Sequence, residues 1–282
     1  MPVYKAEGIV IRRGNLGEAD RLVTLLCRDQ GKVTAAAKGA RKPKSRFAGR
    51  LELFSHVRVL LAVGRTLDVV SQVEVATAFA ALRENLDRLA YAALAVELAD
   101  RATADREPAP DLFRALRTAL DLMQTGDPQM IALWFTAQLL VHSGYAPTTD
   151  RCQVCGRSVR SGAAFSYALG GVLCGIDQHR DPDAVIASAG ALRAIGYLLH
   201  VQPEALARLM LDPRQRTEVG GLLQGYAEYR LETKLKSPLV IQKLLKTGTP
   251  TPTTSARGGA RERGNPHARS AGSGRSGGTR TR

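Results

Sequence analysis

The chain has 282 residues, 44% of them apolar, with a formal net charge of +14 and a pI near 10.1. That length excludes a lone small barrel and allows two packed domains, and the positive balance points to a nucleic acid or anionic surface as partner. Four cysteines, three of them clustered, do not make a secreted disulfide framework.

The charge is unevenly spread. Residues 1–80 carry 14 Lys/Arg and 7 Asp/Glu, residues 81–246 carry 19 and 18, and residues 247–282 carry 7 and 1. The excess lies at the two ends, so the nearly neutral middle reads as structural or protein-binding. The N-terminus Met-Pro-Val-Tyr-Lys-Ala-Glu has no apolar core of a signal peptide. The longest mainly apolar run, Met130–Val141, is too short to cross a bilayer. A cytoplasmic protein with no membrane partner is expected.

In chain order, residues 4–13 hold a short apolar run ending at Gly14-Asn15. Asp20–Arg28 reads as a strand, and Lys32–Lys38 places Val33, Ala35 and Ala37 on one face. Residues 38–50 then carry Lys38, Arg41, Lys42, Lys44, Arg46 and Arg50 with no acidic residue. Gly39, Pro43 and Gly49 break any helix or central strand there, so a flexible basic loop is expected. Such a loop suits phosphate, which repeats its charge and needs no fixed side-chain geometry. Leu51–Ala62 alternates over most of its length, and Gly64-Arg65 turns it into Thr66–Val75. Five short strands with one long basic connector predict a five-stranded OB-fold barrel over 1–80, a nucleic-acid-binding architecture.

From Leu82 the apolar period becomes helical: Leu82, Leu86, Leu89, Ala93 and Val96. Leu112, Leu116, Leu120 and Met123 give a second helix. Asp127-Pro128 opens a third that is apolar nearly all round, the expected centre of a bundle. Helices resume after residue 186, with Asp212-Pro213 capping a long one and Leu239–Leu245 a last short one. The class is therefore α+β, with an α-helical domain over 81–246. The tail, 247–282, is Thr/Pro/Ser/Gly/Ala/Arg-rich with no aliphatic residue above alanine. It is expected to be disordered, with seven arginines of the kind found in flexible nucleic-acid-binding tails.

An irregular insertion at about 148–182 breaks the helical pattern. Cys152-Gln-Val-Cys155-Gly is a knuckle in which two thiolates clasp one ion, and Cys174 follows nineteen positions after Cys155. A tetrahedral structural Zn2+ needs a fourth ligand. His179 is the preferred candidate, as histidine is common in closed sites, and Asp177 is the alternative. Catalytic signatures are missing: no GxxxxGK[ST], no HExxH and no GxSxG. His56, His142 and His200 stand alone in strand or helix patterns, and Cys27 reads as a core thiol. No enzyme is expected.

The order of features resembles the RecO family of bacterial recombination mediators. The residues that carry this are Gly8-Ile-Val-Ile-Arg-Arg13, Gly17-Glu-Ala-Asp-Arg-Leu-Val-Thr-Leu-Leu26, Gly31-Lys-Val33 and Lys38-Gly-Ala-Arg-Lys-Pro-Lys-Ser45. Leu51-Glu-Leu-Phe54, the Cys152 knuckle, Gly170-Gly-Val-Leu-Cys174 and Leu235-Lys-Ser237 continue it, over about residues 4–245. The resemblance implies an OB-fold, a helical domain and a zinc module. It also implies binding of single- and double-stranded DNA, annealing of complementary strands, and work with RecR to load RecA onto DNA coated by single-strand-binding protein. Many zinc-bearing relatives close the site with a second CxxC, whose last position is Asp177 here. The phosphate contacts expected are Lys38, Arg41, Lys42, Lys44 and Arg46, with Arg12 and Arg13 nearby. Few aromatics lie in the first domain (Tyr4, Phe47, Phe54 and Phe79), so charge should dominate binding. The rival reading is an OB-fold/zinc-ribbon RNA-binding protein without a repair role; a zinc-dependent enzyme on nucleic acid would need an open coordination position.

Overall fold

Alternation builds the N-terminal part of the molecule. The computed structural model describes residues 2–159 and 163–247. Strands β1 (Val3–Leu16), β2 (Asp20–Cys27), β3 (Gly31–Ala37), β4 (His56–Ala62) and β5 (Asp68–Thr77) close into a barrel in the order β1-β2-β3-β5-β4. The long β1 pairs twice: Val3–Ile9 against β4, and Gly8–Leu16 against β2, with a register shift between Val10 and Arg12. Closure comes from a short parallel contact, Ala35 with Asp68 and Ala36 with Val69. One parallel contact in an otherwise antiparallel five-stranded barrel gives the expected OB-fold. Val10, Val23, Leu25, Val33, Ala35, Val57, Val59, Leu61 and Val70 fill its interior.

One strand is shorter than its alternation predicts. Residues 51–55 are not in a strand, and β4 begins at His56. Phe54 sits at φ 74, which no strand accommodates. Its N–H donates to Val10 O and its ring is fully buried.

Among the described residues seven helices follow: α1 (Ala81–Glu84), α2 (Leu86–Ala102), α3 (Pro110–Leu122), α4 (Pro128–His142), α5 (Ala189–His200), α6 (Pro213–Arg230) and α7 (Ser237–Thr247). The stripe from Leu82 to Val96 is split at Asn85, an extended residue whose side chain accepts from Arg88 N at 3.0 Å and caps α2. Asp127 accepts from Gln129 N and Met130 N to start α4, as its sequence predicts. Helix α4 is central, packed on α2, α3, α5 and α6. Its Trp134 is buried, with the indole N–H donating to Val201 O.

Barrel and helices share one core. Ile9, Ile11, Leu26 and Phe54 belong to the same apolar cluster as Phe113, Leu116 and the α4 side chains. Ion pairs flank the seam: Lys32 and Arg12 with Asp100 at 3.3 and 3.1 Å, and Arg106 with Asp68 at 2.6 Å.

Between α4 and α5 the insertion folds as a three-stranded antiparallel sheet, β7-β6-β8, of β6 (Ala163–Ser166), β7 (Gly171–Leu173) and β8 (Val185–Ala187). The Gly170-Gly171 turn makes the expected hairpin; β8 has no sequence signal, since three residues are too few for a period. Among the described residues no helix is long and apolar enough to cross a membrane. Residues 248–282, on which the expectation of a disordered basic tail falls, lie outside the described residues.

Candidate metal centre and nucleic-acid interface

The insertion is organised around two knuckles of equal spacing. In the first, Gly156 N donates to Cys152 O at 2.9 Å, and Gly156 adopts φ 71. In the second, Asp177 N and Gln178 N both donate to Cys174 O at 3.0 Å. Gln153 N donates to Val172 O at 2.9 Å and ties the first knuckle to the strand leading into the second. The result gathers Cys152, Cys155, Cys174 and Asp177, whose ligand atoms all lie within 4.8 Å of one another.

The fourth member of this cluster is Asp177, and His179, which the sequence prefers, is not among the gathered groups. A short 3-10 turn over Gln178–Arg180 carries His179 away. It is exposed, and its Nδ1 lies 2.8 Å from Ile176 O. The signal for Asp177 is in the sequence: Cys174-x-x-Asp177 repeats the spacing of Cys152-x-x-Cys155.

The donor set fits zinc. Tetrahedral Zn2+ with Zn–S of about 2.3 Å sets sulfur–sulfur edges of about 3.8 Å and sulfur–oxygen edges of about 3.5 Å. Cys155 and Cys174 Sγ are 3.7 Å apart, and Asp177 Oδ2 lies 3.3 Å from Cys152 Sγ and 3.1 Å from Cys174 Sγ. With protons on the thiols, hydrogen bonds from Cys155, Cys174 and Cys152 hold the Asp177 carboxyl down at about 2. The same bond to Asp177 pushes the Cys155 thiol up to about 12. Burial disfavours the Cys152 thiolate, but the N–H groups of Cys155, Cys174 and Val154 outweigh it and lower its pKa. An ion held by all four groups would have no open position, the arrangement of a closed structural site.

The basic stretch lies between β3 and β4 as a chain of turns. It is pinned, not loose. Gly39, at φ 69, donates its N–H to Asp20 Oδ1 at 2.7 Å, and Arg41 N donates to Ala19 O at 2.9 Å. Phe47 and Leu51 drop into the barrel core and plug its end. The breakers Gly39, Pro43 and Gly49 thus mark tight turns, and Phe47 and Leu51 are the anchors that composition alone does not reveal.

Lys38, Arg41, Lys42, Lys44 and Arg46 are all exposed. None has a carboxylate partner among the described residues; Arg41 donates to Gly17 O at 2.8 Å and Arg46 lies over the Phe47 ring at 4.8 Å. Arg12 and Arg13 differ. Arg12 shares Asp100 with Lys32, at 3.1 and 3.3 Å, and Arg13 shares Glu52 with Arg21, so the charge of each is offset only in part. The first domain offers few aromatic faces: Phe47, Phe54 and Phe79 are buried, and Tyr4 is half-buried with its hydroxyl bonded to Asp68 and Arg106 and the Arg106 guanidinium 5.9 Å from its ring.

Comparison with known proteins settles the family. The model for the Recombination protein O N terminal matches residues 1–79, and that for the Recombination protein O C terminal matches residues 83–239. The chain belongs to the RecO family. It is 38% identical over 242 residues to the DNA repair protein RecO of Symbiobacterium thermophilum, covering 84% of this chain and 96% of that one. It is 36% identical over 237 residues to that of Pelotomaculum thermopropionicum, with 84% and 93% covered. For that of Bifidobacterium adolescentis the identity is 36% over 243 residues, with 84% and 98% covered. Membership of the family supports a role in DNA repair and recombination.

Proposed function

We propose that this chain is a non-enzymatic recombination mediator that binds single- and double-stranded DNA and anneals complementary strands. With RecR it would help load RecA onto DNA coated by single-strand-binding protein, in the cytoplasm at the nucleoid. In this reading residues 1–80 are the DNA-binding domain, 81–246 the helical domain, and 247–282 a basic tail. The observation that supports it best is the loop: five exposed cations without carboxylate partners, held on turns that fix where they point. Lys38, Arg41, Lys42, Lys44 and Arg46 contact phosphate, and Arg12 and Arg13, already paired, contribute less. Phosphates held this way leave base edges free to find a complement, which is what annealing requires.

One structural zinc, held by Cys152, Cys155, Cys174 and Asp177, would staple the insertion and take no part in chemistry. The test is an annealing assay with complementary oligonucleotides coated by single-strand-binding protein. Acceleration by the chain supports the reading. No acceleration, or a strong preference for RNA over DNA at fixed salt, rejects it.

A further inference from the structure

We propose a second nucleic-acid contact, resting on the DNA-binding reading above: a stacking platform for unpaired bases made by Tyr145, Tyr229 and Arg230. Of the first domain's aromatic rings only the half-buried Tyr4 reaches the surface, so other places for base stacking are worth seeking. Three of the chain's seven tyrosines, Tyr145, Tyr226 and Tyr229, meet around Arg230 at the end of α6. Its guanidinium carbon lies 5.1 Å from the Tyr226 ring and 5.8 Å from those of Tyr145 and Tyr229. Tyr226 is buried and forms the floor, whereas Tyr145 is 40% and Tyr229 51% exposed.

Arg230 has no ion pair among the described residues. Its Nη2 donates to Ala168 O at 3.3 Å, and its buried Nε has no partner. The nearby carboxylate of Glu228 is committed to Lys234 Nζ and Leu235 N. A cation in the last turn of α6 also suits the helix dipole, but that does not call for two exposed rings beside it. A recess of about 500 Å3 lined by Tyr145, Arg230, Ser143 and Pro108, with Glu107 and Asp111 on its wall, opens on the Tyr145 side, and Tyr229 borders a separate recess with Tyr167 and Lys234.

The parts are pre-placed. Tyr145 follows Gly144 at φ 76 and donates its N–H to Leu140 O at 2.7 Å. A side chain at Gly170 would come within 2.7 Å of Arg230 Nη2, so the hairpin glycine keeps the space open. Ring and guanidinium faces stack on any base, without reading sequence. Duplex bases are already stacked, so the platform selects single strands.

The test measures binding of the full chain to a single strand, its abasic counterpart and a duplex. The Tyr145→Ala/Tyr229→Ala pair should bind the single strand about tenfold more weakly. Duplex affinity and the salt slope should not change, the effect should vanish on the abasic strand, and Tyr145→Phe/Tyr229→Phe should behave as wild type. Photocrosslinks from 5-iodouracil should map to Tyr145 and Tyr229. Unchanged single-strand affinity in the alanine pair, or equal loss on single strand and duplex, overturns the proposal. If the loop variants keep their salt slope while the alanine pair loses single-strand binding, the loop assignment fails and the platform stands.

Discussion

Replacing Lys38, Lys42 and Lys44 together by alanine tests the loop most cleanly. These lysines are exposed and their side chains make no hydrogen bond or ion pair among the described residues, so the backbone turns that shape the loop do not depend on those side chains. Each phosphate neutralised contributes about 0.7 to the slope of log affinity against log salt on single strands and about 0.9 on duplex. Three lost contacts should flatten the slope by about 2 on single strands and about 2.7 on duplex. Between ~50 and ~200 mM salt, wild type should then lose about 20-fold more single-strand affinity than the variant does. Fluorescence anisotropy across a salt series reads this directly. Arg13→Ala is the control: Arg13 shares Glu52 with Arg21, so its loss should change the slope much less than the loss of the three lysines. An unchanged slope in the triple variant, or an equal change in the control, refutes the loop as the phosphate contact.

Elemental analysis should find one zinc per chain; Asp177→Ala should lower it and His179→Ala should not, and zinc lost only in the His179 variant would reverse the ligand assignment. Phe47→Ala removes the plug of the barrel and should cost about 3 kcal/mol in urea unfolding; a cost near zero would mean the loop is not anchored there. Glu97 accepts from Lys236 N at 2.9 Å and Ser237 N at 2.8 Å and so caps α7; Glu97→Ala should cost about 1 kcal/mol. Burial pushes the Glu97 pKa up, but these N–H groups outweigh it and hold it below its ordinary value. Its contribution is therefore complete above the ordinary glutamate pKa and is lost as pH falls through the depressed one. The difference in melting temperature between wild type and variant should shrink in acid, and a difference that grew there would contradict the cap.

The barrel was legible because its core positions alternate, as Val33, Ala35 and Ala37 do, and because the basic connector stood out by charge alone. Helix starts at Asp127 and Asp212 were legible because a capping side chain followed by proline is a local event. What stayed hidden depends on contacts far apart in the chain. Leu51 and Leu53 continue the period of β4, yet Phe54 turns through a positive φ because its ring is taken into the helical core. Arg12 and Arg13 look like free cations until Asp100, some ninety residues on, and Glu52 come alongside. At the metal centre the cysteines were plain. The choice between His179 and Asp177 turned on a backbone turn three residues long, which residue frequencies do not resolve.

The core shared between barrel wall and helices has a consequence for how the chain is made. Ile9, Ile11 and Phe54 find their neighbours in segments such as Phe113 and α4, which leave the ribosome later. A barrel finished on its own would carry those side chains as an uncovered greasy flank. The first third of a nascent chain would thus keep an apolar flank in water until α3 and α4 arrive. A gene cut at residue 80 should yield a sticky product, although the strands it encodes close a complete barrel.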